Sequence, residues 1–165
     1  MRSDRLFHRD FTLMVIGQII SLLGNAVLRF ALPLQVLDAT GSAAAFGGVL
    51  ALSMVPVLLC SPLGGVLADR VPRQRIMWGL DFFTAALVAG YGLLFPREHP
   101  VAAVGGMMVL LSAIQALYQP AVQASIPVLV AEERLPAANG VVAQVQALSS
   151  LLGPILGGIL YGWVG

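Results

Sequence analysis

Five long apolar runs, separated by short polar links, constrain this chain more than any other feature of its sequence. They cover roughly residues 11–37, 43–68, 76–95, 101–126 and 140–161. A helix needs about 20 apolar residues to cross the hydrocarbon core of a bilayer, and each run is long enough. A water-soluble body is excluded by the surface it would need. Soluble domains average about 25% charged residues. Here 10% are charged, 58% are hydrophobic and the mean hydropathy is +0.89. The expected fold is all-α, with five transmembrane helices in one lipid-embedded domain, 1–165. The lipid bilayer is its first partner.

Charge placement gives the orientation. Every basic residue is arginine, and eight of the nine lie outside the apolar runs. With a cytoplasmic N-terminus, the inner segments hold Arg2, Arg5, Arg9, Arg70, Arg73, Arg75 and Arg134, and the outer ones hold Arg97 alone. Such an excess on one side is the positive-inside pattern. It predicts a multi-pass protein of the cytoplasmic membrane, with the N-terminus inside and the C-terminus outside. The first run is too long for a signal-peptide core of about 7–15 residues, so it reads as an uncleaved span. Trp163 and Tyr161 suit the outer interfacial belt, and Trp78 the inner one.

Several chemistries find no residues to carry them. Cys60 is the single cysteine, so no internal disulfide forms. Its apolar neighbours suit a packing role. His8 and His99 lack acidic or cysteine neighbours at metal-ligand spacing, so no metal site is expected. Gly47-Gly48 and Gly64-Gly65 are not followed by the Lys-Ser/Thr of a phosphate loop. No Ser–His–acid set stands out, and the arginines form no nucleic-acid footprint. The chain is not expected to be an enzyme.

The densest charge lies in Gly65-Val66-Leu67-Ala68-Asp69-Arg70-Val71-Pro72-Arg73-Gln74-Arg75. Gly65 is expected to let the second helix approach a neighbour closely. Asp69 closes that helix and is placed to accept hydrogen bonds from free amides at another helix N-terminus. The arginines anchor the loop at the inner surface. Topology alone does not require the carboxylate, because acids count for little in it.

Inside the runs, polar residues fall on stripes. At 3.6 residues per turn, Gln18, Ser21, Asn25 and Arg29 share roughly 80° of the first helix. Arg29 sits well inside its span, where an arginine costs about 2.5–3.5 kcal/mol on insertion scales. Such a residue faces a water-filled cavity or a partner. Ser112, Gln115, Gln119 and Gln123 line one stripe of the fourth helix, beside Tyr118. On the fifth, Gln146, Ser149, Ser150, Gly153 and Gly157 share a face. A substrate cavity lined by Gln18, Ser21, Asn25, Arg29, Gln115, Gln119 and Gln146 is one reading. Hydrogen bonding between packed helices is the other. Asp81 is the remaining acid within a span. It is a candidate proton site or a partner for an arginine of the central loop.

Two motifs carry a family resemblance. Gly65, Leu67, Ala68, Asp69, Arg70 and Arg73 resemble the signature between the second and third helices of the major facilitator superfamily. The signature reads glycine, any residue, leucine, alanine, aspartate, a basic residue, any residue, glycine, then basic residues. Pro72 stands where it has glycine, and Gln74 where it has a basic residue. Proline cannot take a positive φ, so the turn must be built differently here. The resemblance implies a conformational gate at Gly65, Asp69, Arg70 and Arg73, docking onto a helix outside this chain. The second motif is similar to the antiporter signature of the fifth helix. Gly140 is followed after eight residues by Ser149, then by Gly153-Pro154 and Gly157-Gly158, with only Ser149 departing from glycine. Plain small-residue helix packing explains the same spacing.

Three further stretches resemble the macrolide-efflux and enterobactin-exporter group: Gly17–Ser21 with Thr40-Gly41-Ser42, Pro120-Ala121, and Ile126–Val130 through Leu135 to Asn139-Gly140. The resemblance implies efflux of small amphipathic molecules, drug-like or siderophore-like, against protons. It implies no bound cofactor beyond the proton gradient. Many superfamily members carry a proton-linked arginine in the fourth helix, where Leu111 stands here. Facilitators have two six-helix halves. Five spans make up most of an N-terminal half. The expectation is an N-terminal portion, truncated and inactive alone, whose partners include missing C-terminal helices. The alternatives are a small membrane assembly protein without transport, and a facilitator-type importer.

Overall fold

The computed structural model describes residues 6–94 and 100–164; the side chains of Ala68, Asp69, Leu94 and Val164 are not described. Arg2, Arg5, Arg97 and His99 lie outside the described residues. Five long helices account for nearly all the rest: α1 (Arg9–Thr40), α2 (Ala43–Arg70), α3 (Arg73–Leu94), α4 (Pro100–Leu129) and α5 (Leu135–Val164). All five are long and apolar enough to cross a membrane. A single 3₁₀ turn, Glu132–Arg134, precedes α5.

The helices overrun the apolar runs at most ends. Asp69 and Arg70, expected to close the second helix, lie within its last turn. Arg73 and Arg75, expected in the loop, belong to the first turn of α3. Pro120 and Pro127 do not end α4, and the residues 135–139 expected as a link form the start of α5. Pro136 is tolerated there because first-turn amides have no intrahelical acceptor. Nor do Pro56 and Pro62 interrupt α2.

The connections are tight and have visible chemistry. Gly41 takes φ +62, the only positive φ among the described residues, and its amide donates to the Leu37 carbonyl at 2.7 Å. That left-handed residue ends α1. Ser42 then caps α2, its hydroxyl accepting from the Ala45 amide at 3.2 Å. The α2–α3 link works differently. Val71 is extended (φ −119, ψ 142), as the residue before a proline should be. The Pro72 carbonyl accepts from the amides of Arg75 (2.8 Å) and Ile76 (3.3 Å), which starts α3. The turn therefore needs no left-handed residue where the family signature has glycine.

The chain divides into two compact units, residues 32–122 and residues 1–31 with 123–165, the breaks falling inside α1 and α4. In the 32–122 unit, α4 supplies most of the core: Val104, Met107, Met108, Leu111, Ile114, Tyr118 and Val122 are buried. Gly64 of α2 is pressed against α4; a Cβ there would lie 2.7 Å from the Ala116 carbonyl oxygen and 2.9 Å from Pro120. Further along, Gly105 of α4 faces Leu52. Both pairings advance in the same chain direction, so α2 and α4 run parallel. The close approach expected at Gly65 is thus made by its neighbour Gly64, since nothing lies within 4 Å of a Cβ at Gly65. The two are 100° apart on the helix, and Gly65 falls on the exposed side.

In the other unit, α5 lies on α1. A Cβ on Gly153 would overlap Ala26, reaching 2.9 Å from its carbonyl carbon. One at Gly157 would stand 3.0 Å from the Val27 carbonyl oxygen and 3.2 Å from the Phe30 ring. This pair also runs parallel. Alternating membrane crossings demand that odd-numbered spans share one direction and even-numbered spans the other. Both observed pairs obey. Large side chains such as Leu58, Phe82, Ile155 and Trp163 are exposed. In a membrane protein such a surface faces lipid or other helices.

Candidate functional site

The polar stripe of α1 and the small-residue seam of α5 occupy different directions on their helices. Ala26, Val27 and Phe30 define the side of α1 that meets α5. At about 100° per residue, Gln18, Ser21, Asn25 and Arg29 centre roughly 140° away from that side. The seam therefore positions α1 without occupying its polar face. That face is half-buried at Ser21, Asn25 and Arg29. Asn25 donates from Nδ2 to the Ser21 carbonyl at 2.9 Å, which satisfies one amide proton inside the helix. Gln18 is completely buried. It falls in the stripe of Phe11, Val15 and Leu22, all buried, and neither its Oε1 nor its Nε2 has a hydrogen-bond partner.

On α5 one buried line runs through Ala138, Val142, Val145, Ser149, Gly153 and Gly157. Ser149, the departure from the glycine pattern, is 5% exposed and keeps that line narrow. Gly153 and Gly157 make the closest approach to α1, and a Cβ on Gly158 would lie 3.6 Å from the Phe30 ring. A Cβ on Gly140 would meet nothing within 4 Å, and Pro154 is exposed. Gln146 is half-buried beside the line. The register set by Gly153 on Ala26 and Gly157 on Phe30 puts Gln146 level with Ile19, next to Gln18.

In the 32–122 unit, Gln115 and Gln119 are half-buried on α4, Ser112 is fully buried, and Leu111 is 1% exposed. Asp81 is half-buried on α3. One polar link was not anticipated: the Tyr91 hydroxyl of α3 donates to Oε1 of Gln35 on α1 at 2.8 Å. Neither residue belongs to a motif or a polar stripe, so nothing in a single sequence marks the pair. At the inner loop, Arg70 and Arg75 are exposed, while Arg73 is half-buried with its Nε buried and lacking a hydrogen-bond partner. Among the described residues no group of His, Cys, Asp and Glu could hold a metal ion.

The sequence model of the Major Facilitator Superfamily matches residues 14–165, nearly the whole chain. The chain belongs to the Major Facilitator Superfamily. Among curated relatives, macrolide efflux protein A of Streptococcus pyogenes is 33% identical over 146 residues, covering 88% of this chain and 36% of that protein. The multidrug efflux pump Tap of Mycobacterium tuberculosis is 26% identical over 159 residues, covering 93% of this chain and 38% of the pump. The enterobactin exporter EntS of Citrobacter koseri is 28% identical over 159 residues, 93% of this chain and 37% of the exporter. The chain thus spans little more than a third of the length of these relatives. No solved structure matches it. As a facilitator with five apolar helices, it is a multi-pass membrane protein, and its α-helical bundle fits the N-terminal half of such a transporter.

Proposed function

We propose that this chain forms one wall of an efflux transporter for small amphipathic molecules, working by alternating access. One observation supports the reading most: a glycine seam fixes α1 against α5 while leaving the stripe with Arg29, inside the span, on another face. A guanidinium in hydrocarbon is expensive, so such residues face aqueous cavities or partners. In this reading Gln18, Ser21, Asn25, Arg29, Gln115, Gln119 and Gln146 line the passage. Gly65, Asp69, Arg70 and Arg73 form the inner gate, and the helices that complete the passage lie outside these 165 residues. The names of the relatives favour export over import, with macrolides, other drugs or siderophores as the cargo class. Proton antiport drives it, with Asp81 as the acid available within a span. The N-terminus is cytoplasmic and the membrane is the cytoplasmic one.

Export of a macrolide from cells tests the proposal. A transporter carrying this chain should lower intracellular macrolide, and nigericin, which collapses the pH gradient, should abolish the effect. Arg29→Ala should remove most of the export with the protein still in the membrane. Unchanged export by Arg29→Ala would refute the assigned cavity wall. Export by the 165 residues alone would refute the need for further helices.

A further inference from the structure

The buried stripe on the first half of α1 is apolar at Phe11, Val15 and Leu22, and it carries an amide at Gln18. An apolar residue of similar length would fill the same space without losing water on burial. The amide instead sits completely buried with donor and acceptor both unpaired. In hydrocarbon no water is at hand to repair this, and an unsatisfied polar group there is costly. The sealed arrangement is therefore held against a penalty that is relieved whenever the helices part and a hydrogen-bonding group arrives. Gln18 lies about 13–14 Å along α1 from its start, at 1.5 Å per residue. Arg29 continues the same stripe about 16 Å further on.

We propose that Gln18 reads a neutral hydroxyl or carbonyl group of the transported molecule, and that this contact favours the opened state of α1. The inference rests on the efflux reading above and names the chemistry which that reading leaves open. A primary amide offers one acceptor oxygen and two N–H donors without charge. It therefore selects by hydrogen bonding. A site built to hydrogen-bond a group rejects analogues lacking it far more strongly than an apolar pocket sorts by size. A ligand shifts the equilibrium only by its preference for one state. Gln18 supplies that preference, because its amide is unpaired in the closed form and meets a hydrogen-bonding group of the molecule only once α1 has opened.

The test uses the 165-residue chain in phospholipid nanodiscs. The side-chain amide signal of Gln18 in a ¹⁵N spectrum is identified by its loss in Gln18→Met. Its exchange with heavy water is followed with two probes: erythromycin, a macrolide dense in hydroxyl and carbonyl groups, and tetraphenylphosphonium, which has neither. The expected result is exchange within minutes, slowed at least tenfold by erythromycin and unchanged by tetraphenylphosphonium. An amide that does not exchange over a day, an exchange rate indifferent to erythromycin, or equal slowing by both probes would each overturn the proposal. A positive result beside absent efflux by a transporter carrying this chain would refute transport and leave the hydrogen-bonding site standing. Efflux without the response would do the reverse.

Discussion

Replacing Gly153 with alanine tests the seam that positions α1. The new Cβ would overlap Ala26 and lie 2.9 Å and 3.1 Å from the Ala26 carbonyl carbon and Cα. Carbon atoms in good contact stand about 3.5–4.0 Å apart, so the two helices must separate by about 1 Å. Overpacking of this kind costs about 1–3 kcal/mol. The better helix propensity of alanine offsets about 1 kcal/mol of that. A net loss of about 1 kcal/mol is expected, roughly a fivefold shift toward the unfolded form. Unfolding of the 165-residue chain by dodecyl sulfate in mixed micelles measures it. Gly140→Ala is the control. Nothing lies within 4 Å of a Cβ there, so it should gain about 0.4–1 kcal/mol. Ala26→Gly should rescue Gly153→Ala in part, because it removes the facing Cβ and couples the two sites while the contacts with the Ala26 backbone remain. Equal stability of Gly153→Ala and Gly140→Ala would refute the seam.

Two further substitutions probe the 32–122 unit. Gly64→Ala should cost about 1–3 kcal/mol of overpacking, because the obstacle is the Ala116 backbone carbonyl, offset by about 1 kcal/mol of helix propensity; Gly65→Ala should be neutral or slightly stabilising, and micelle unfolding separates them. The Tyr91–Gln35 hydrogen bond should show a coupling of about 0.6 kcal/mol in a double-mutant cycle of Tyr91→Phe and Gln35→Leu, the average for such bonds between membrane helices. A coupling of zero would remove it from the forces joining α1 to α3.

The number and type of helices were legible because apolar runs of membrane length admit few alternatives. Their ends were not. Pro120 and Pro127 left the end of the fourth span uncertain, yet α4 contains both. A signature names residues without saying which face they occupy. It drew attention to Gly65, while the helix contact falls one residue earlier at Gly64. Periodicity placed Gln18, Asn25 and Arg29 on one stripe but could not distinguish a sealed amide from a half-buried one. The Tyr91–Gln35 bond joins residues 56 positions apart on two helices, and no local pattern predicts such a pairing.

The most direct test of the account is which side of the membrane each turn occupies. In a Cys60→Ser background, single cysteines replace Ser42 between α1 and α2 and Gln74 at the start of α3. An impermeant maleimide applied to intact cells should label Ser42→Cys and should reach Gln74→Cys only after the membrane is opened. Labelling of both from one side, or of Gln74→Cys alone in intact cells, would contradict the alternating, N-terminus-inside arrangement on which the proposed passage depends.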